Sequence, residues 1–181
     1  GEEGGIAAAN MGHDVIMTPG NWLYLDHYQG DSKILPVTIG GLTTLSETYS
    51  YEPIPAKIAE DKKHHILGAQ ANMWCEYNYQ TDDMDFDIYP RVIALAEVTW
   101  SQPTRKNYED FERRIENQRV RLDMHNINYY IPLPEPKDVP SCDFIVFTDS
   151  AALAFKSTEP VKFVYTIDGS EPTLSSAVYD K

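Results

Sequence analysis

Residues 64–77 read HHILGAQANMWCEY, and the fold follows from this stretch. Ile66 and Leu67, followed by the small Gly68, Ala69 and Ala71, make an apolar run without polar alternation. That is the pattern of a strand buried on both faces of a parallel sheet. The run ends in Trp74, Cys75, Glu76 and Tyr77, so an aromatic plane and a carboxylate stand two residues apart. A second run has the same form. Val15–Met17 is apolar throughout, follows a helix-like EGGIAAANM closed by Gly12, and leads into NWLYLDHY. There Tyr24 and Asp26 are again two apart, and in extended chain residues two apart share one side.

Outward from these strands, residues 30–55 read as irregular, with a short helix expected over 56–63. After the polar loop NYQTDDMD, a helix is expected over 86–100, with Ile88, Val92, Leu95, Ala96 and Thr99 on one face. Another is expected over 107–126, with Phe111, Ile115, Gln118 and Leu122 inward. Apolar strands alternating with helices predict an α/β fold with a parallel sheet, whose sites lie beyond the C-terminal ends of the strands. Both aromatic–carboxylate pairs fall there. Residues 131–141, IPLPEPKDVPS, hold four prolines and read as a semi-rigid linker. Residues 142–181 alternate apolar and polar, with Asp168–Gly169 as a turn, and read as the start of an all-β module. Some 40 residues are too few to complete one.

The 15 basic and 28 acidic residues leave a net charge of −13, which repels phosphate backbones and anionic lipid heads. Nucleic acid and membranes are therefore not expected partners. No apolar run approaches the ~20 residues of a membrane helix. No signal peptide is visible, and the chain opens without Met in the middle of a helix-like run, so a piece of a longer protein is expected. Cys75 and Cys142 are read as buried free thiols with no disulfide. His64 and His65, adjacent on what reads as a strand, should face opposite sides and share no metal, and no cofactor is implied. Arg91 and Glu97 are read as a buried helix-to-barrel ion pair.

A sugar ring offers an apolar C–H face for an aromatic plane and hydroxyls for a carboxylate. Trp74 with Glu76, and Tyr24 with Asp26, meet that need at two strand ends. With GHDVIMTPGNWLYLDHYQ, GAQANMWCEY and YPRVIALAEVTWS in this order, the chain to about Asn126 resembles the end of the catalytic barrel of family 20 glycoside hydrolases, the β-N-acetylhexosaminidases. The resemblance implies strands seven and eight, with flanking helices, of a (β/α)8 TIM barrel over residues 1–130. The tail YTIDGSEPTLSSAVY resembles a chitobiase-type C-terminal β-sandwich module.

The resemblance further implies a retaining enzyme that removes terminal N-acetylhexosamine (GlcNAc or GalNAc) from glycans or chitooligosaccharides. The substrate's acetamido oxygen serves as nucleophile and forms an oxazolinium ion. Tyr24 would position that oxygen, Asp26 would take the O6 side, Trp74 would pack the acetamide methyl and ring, and Glu76 would bind O4 and O6. The family's Asp-Glu catalytic pair is absent, since no Asp-Glu dipeptide occurs in the chain. The chain alone is therefore expected to be inactive. A second tryptophan, common in the family roughly a dozen residues after the motif's aspartate, is also absent, since that region reads TIGGLTT with no aromatic from there until Tyr49. The acetamide pocket is then closed by a tyrosine or by residues upstream. A periplasmic or secreted location is implied by the family. Two other readings stay open: another barrel glycosidase with Glu76 as a catalytic carboxylate, or a non-catalytic carbohydrate-binding module.

Overall fold

A computed structural model describes residues 1–133, 135–136, 146–157 and 161–180. The chain divides into two compact units, Gly1–Tyr130 and Ile131–Lys181.

In the first unit, α1 (Glu2–Asn10) carries two acidic residues in its first turn, where they complement the helix dipole. It ends before Gly12, whose φ of +88° suits a residue without Cβ. β1 (Val15–Met17) follows and pairs in parallel with β2 (Ile66–Ala69), Val15 opposite Ile66 and Met17 opposite Ala69. The strands are not covered on both faces among the described residues. Val15, Met17, Ile66 and Ala69 pack against the helical core, whereas Ile16 and Leu67 are exposed.

After Met17 the chain leaves the sheet for a single turn, α2 (Gly20–Leu23), entered through Pro19. It then returns: Asn72 N donates to Leu23 O at 2.8 Å and Leu25 N to Asn72 O at 2.8 Å. Tyr24 therefore sits opposite Asn72 in a parallel bridge, which places the residues beyond it beside those that follow Asn72.

The crossover holds α3 (Leu45–Ser50), where the expectation was irregular chain. Its signal is the capping box Thr44-x-x-Glu47: Thr44 Oγ1 accepts from Glu47 N at 3.2 Å, and Glu47 Oε2 accepts from Thr44 N at 2.7 Å. The helix expected over 56–63 is instead a 3₁₀ helix, Glu60–His65. There the His64 and His65 rings lie 4.1 Å apart rather than on opposite faces, because a tight helix does not alternate sides as a strand does. His65 Nδ1 is bonded to Asp14 Oδ1 at 2.9 Å.

The helix expected over 86–100 is two helices, α4 (Thr81–Ile88) and α5 (Arg91–Trp100). Pro90 lacks an N–H and disfavours helix at Tyr89, so the chain breaks between them. The break also resets the inward face. Arg91, Ala94, Leu95 and Val98 are buried, while Ala96 and Thr99 are exposed.

α6 (Tyr108–Met124) is capped by Asn107 and buries Phe111, Ile115, Arg119 and Leu122, with Gln118 half-buried. The core joins Met17, Leu23, Tyr49, Tyr51, Ala94, Leu95, Val98, Phe111 and Ile115. Each large apolar side chain in it contributes about 1.5–3 kcal/mol by burial. Glu97 belongs to this core region and not to Arg91. It accepts from Arg114 Nη2 at 2.7 Å and Tyr49 Oη at 2.9 Å, and the Arg114 bond foremost holds its carboxyl below the usual range. Six residues along a helix is a rotation of about 240°, which turns Arg91 and Glu97 to different sides.

In the second unit β3 (Glu135–Pro136) pairs antiparallel with β4 (Phe155–Lys156), so two residues of the proline-rich stretch lie in a ladder. β5 (Val164–Tyr165) pairs antiparallel with β6 (Ala177–Val178). Phe155, Phe163 and Tyr179 form an aromatic cluster with ring centroids 5.5–6.0 Å apart. Asp168 closes the expected turn, its Oδ1 accepting from Ser170 N at 3.0 Å. Cys142 lies outside the described residues, as do 143–145 of the DFIVFTDS run.

Candidate functional site

The returning strand brings the two aromatic–carboxylate pairs together. The Tyr24 and Trp74 rings meet edge to face, centroids 6.4 Å apart at 65°. Glu76 is near enough to Asp26 to be among the groups that raise the Asp26 carboxyl. All four predicted residues thus converge at the C-terminal ends of β1 and β2.

Their environments differ. Asp26 is only 5% exposed, and its Oδ1 is buried without a hydrogen-bond partner among the described residues. Burial, first of all, pushes its carboxyl above the usual range, opposed by a hydrogen bond from its own backbone N–H and then by His27 and Arg91. Burial also lowers the neighbouring His27, whose Nδ1 lies 3.0 Å from Thr43 Oγ1. Gly41 closes over that ring: at φ +71°, a Cβ there would lie 2.8 Å from it. Trp74 is 52% exposed and Glu76 is exposed. Cys75 between them is exposed as well, not buried as expected. In a loop beyond the last ladder residue of β2, nothing described covers it. Tyr49, the first aromatic after the TIGGLTT stretch, is stacked on Phe111 in the core, 4.6 Å between centroids, and does not join the Tyr24–Trp74 pair.

Missing from the sequence reading is the group that builds the Asp26 wall. Arg91 is fully buried. Its Nη1 donates to His27 O at 3.1 Å and Thr43 O at 2.8 Å, and its Nη2 to Leu25 O and Asp87 O at 2.6 Å each. Burial lowers its pKa to about 10, so it remains a cation at neutral pH. Gln29 Nε2 adds a bond to Phe86 O at 2.6 Å. Across the site, Asn78 Nδ2 donates to Asp87 Oδ2 at 2.8 Å. The arginine itself was visible, but its acceptors are backbone carbonyls distant in sequence, which no spacing reveals. Among the described residues no three His, Cys, Asp or Glu side chains converge as a metal site. No helix among them is long and apolar enough to cross a membrane.

A parallel-stranded α/β unit that gathers aromatic rings and carboxylates at its strand ends places them where α/β folds carry their ligand sites. Residues 1–103 match the model of glycosyl hydrolase family 20, catalytic domain. The chain is 56% identical over 180 residues, 99% of its length, to a beta-hexosaminidase of Porphyromonas gingivalis, of which it spans 23%. It is 40% identical over 97 residues, 52% of its length, to a beta-hexosaminidase of Vibrio furnissii, of which that stretch covers 16%.

Among solved structures it resembles the family 20 β-N-acetylhexosaminidase of Streptomyces coelicolor, with TM-score 0.61 and 26% identity over 69% of this chain and 25% of that one. It also resembles the exo-β-N-acetylglucosaminidase of Vibrio harveyi in complex with N-acetylglucosamine. There the TM-score is 0.63 and the identity 30%, over 72% of this chain and 21% of that one. The chain belongs to glycosyl hydrolase family 20, and its first unit is part of a TIM-barrel-type α/β domain. It spans about a quarter of the Porphyromonas and Streptomyces relatives.

Proposed function

We propose that the complete protein is a retaining β-N-acetylhexosaminidase and that this chain supplies one side of the subsite for the terminal sugar. In this reading β1 and β2 are the seventh and eighth barrel strands. The observation that carries it is the buried Asp26 Oδ1, an acceptor with no donor among the described residues, beside the Tyr24–Trp74 ring pair. A buried acceptor left unsatisfied costs about 1–3 kcal/mol, and a sugar hydroxyl would remove that cost.

Tyr24 donates its hydroxyl to the acetamido oxygen and holds it in line with the anomeric carbon. That oxygen attacks the carbon and the glycosidic bond breaks. The leaving oxygen takes a proton from a carboxylic acid outside this chain, and water then opens the oxazolinium ion with retention. Asp26 accepts from the O6 side, Trp74 packs the acetamide methyl and ring face, and Glu76 accepts from O4 and O6 and so tests for a terminal, unsubstituted sugar.

Support for the substrate class comes from the N-acetylglucosamine bound by the Vibrio harveyi relative. Chitooligosaccharides are supported by a chitooligosaccharidolytic enzyme of Ostrinia furnacalis, 36% identical over 72 residues. The second unit, with its antiparallel pairs, is read as part of an accessory β module.

The test is hydrolysis of a chromogenic β-N-acetylglucosaminide by the complete protein, with release of the β-anomer. Saturable N-acetylglucosamine binding without turnover would favour a binding module. The 181-residue chain alone should give no turnover, and activity in it would place the general acid among its own residues.

A further inference from the structure

The junction between α4 and α5 touches both walls of the site. On one side Arg91 takes the carbonyls of Leu25 and His27, the residues on either side of Asp26. With its bond to Thr43 O, the same guanidinium fixes the segment that carries Thr43 Oγ1 to the His27 ring. On the other side Asp87, 8% exposed, holds Asn78 two residues beyond Glu76. Arg91 and Asp87 are joined through Asp87 O at 2.6 Å.

A planar fork can hold several carbonyls in fixed directions, which a flexible ammonium cannot. Burial strengthens each of these bonds and makes their loss costly. A guanidinium whose two Nη groups go to the carbonyls of Leu25, His27, Thr43 and Asp87, with no carboxylate in bidentate contact among the described residues, is a device for shaping backbone.

We propose that the Asp87–Arg91 junction positions the sugar-binding walls. Arg91 sets the direction of the Asp26 carboxylate through its two flanking carbonyls, and Asp87, through Asn78, sets the loop that follows Glu76. Neither residue is a catalytic residue; both act through others. The inference rests on the proposed role of Asp26 and Glu76 as sugar ligands.

The test is a double-mutant cycle in the complete protein, reading KM and kcat for a chromogenic N-acetylhexosaminide together with the melting temperature. Arg91→Lys keeps the charge and loses the fork. It should raise KM about tenfold with a smaller change in kcat, the size expected of a sub-ångström misplacement. In an Asp26→Asn background that penalty should largely vanish, since Arg91 acts through Asp26. An equal KM penalty in both backgrounds, or a lowered melting temperature with unchanged KM, would overturn the proposal.

Should Arg91→Lys not fold, Asn78→Ala reads the other arm. Its KM penalty should disappear in a Glu76→Gln background, and persistence of the penalty there would overturn the proposal. If Asp26→Asn and Glu76→Gln by themselves leave KM unchanged, the sugar-site reading fails first and the positioning role with it.

Discussion

Asp26 and Glu76 each stand two residues after an aromatic at the end of a parallel strand, yet Asp26 is buried and Glu76 is exposed. The difference lies in what each loop is tied to. The Asp26 loop is held by a buried guanidinium, by Gln29 and by the close approach of Gly41. The Glu76 loop is anchored chiefly through Asn78 to Asp87. One sequence pattern therefore gives a desolvated carboxylate at one strand end and a solvated one at the other. A low-dielectric acceptor discriminates strongly because a wrong partner leaves it unpaired, whereas a solvated carboxylate has water as an alternative.

The comparison can be broken or sharpened by substitution in the complete protein. The largest effect is expected for Tyr24→Phe. Removing one preorganised donor should cost on the order of 10²-fold in kcat, with the melting temperature nearly unchanged because the ring contact with Trp74 remains. A wild-type kcat would remove Tyr24 from the chemistry. Trp74→Ala should come next: loss of an aromatic sugar platform worth about 1–2 kcal/mol raises KM about tenfold, as titration with N-acetylglucosamine would register.

Glu76→Gln should act more mildly, raising KM severalfold and eroding discrimination between C4 epimers. The acid limb of the pH–rate profile should stay in place. Disappearance of that limb would make Glu76 the catalytic acid and invert the assignment of the two walls.

The smallest effect, and the one that separates the walls most cleanly, is on stability. Burial raises the Asp26 carboxyl in the folded state. A group with a raised native pKa contributes stability below its unfolded value and loses it as pH rises through the native one. Once ionised, Asp26 is therefore a burden on folding. Asp26→Asn should melt higher than wild type at pH 7 while binding sugar more weakly, and the gain should fade toward about pH 4. Glu76→Gln, at an exposed position, should show no such gain. Thermal melts across pH decide it, and equal behaviour of the two variants would erase the contrast.

How much of this was legible varies along the chain. α1, β1, β2 and α6 follow from local pattern: apolar runs for the strands, the Gly12 stop for α1, and the apolar stripe behind the Asn107 cap for α6. Pro90 marks the break between α4 and α5 just as locally, and the capping box marks α3. Reading through that proline carried the phase of the Ile88 stripe into α5 and turned Ala96 and Thr99 inward, where the structure leaves them exposed. The histidine pair was misplaced for the same kind of reason: a strand period was extended into residues that form a 3₁₀ helix.

Local pattern, then, specified the two parallel strands, α1, α6 and the four side chains beyond the strand ends, because periodicity and motif order are carried by neighbouring residues. Only the tertiary structure decided that Asp26 is buried with its Oδ1 unpartnered among the described residues, that Arg91 serves backbone carbonyls and not Glu97, and that Tyr49 belongs to the core. These depend on contacts between segments far apart in the chain. A guanidinium's choice between a carboxylate and a set of carbonyls is made by which acceptors the fold brings within about 3 Å.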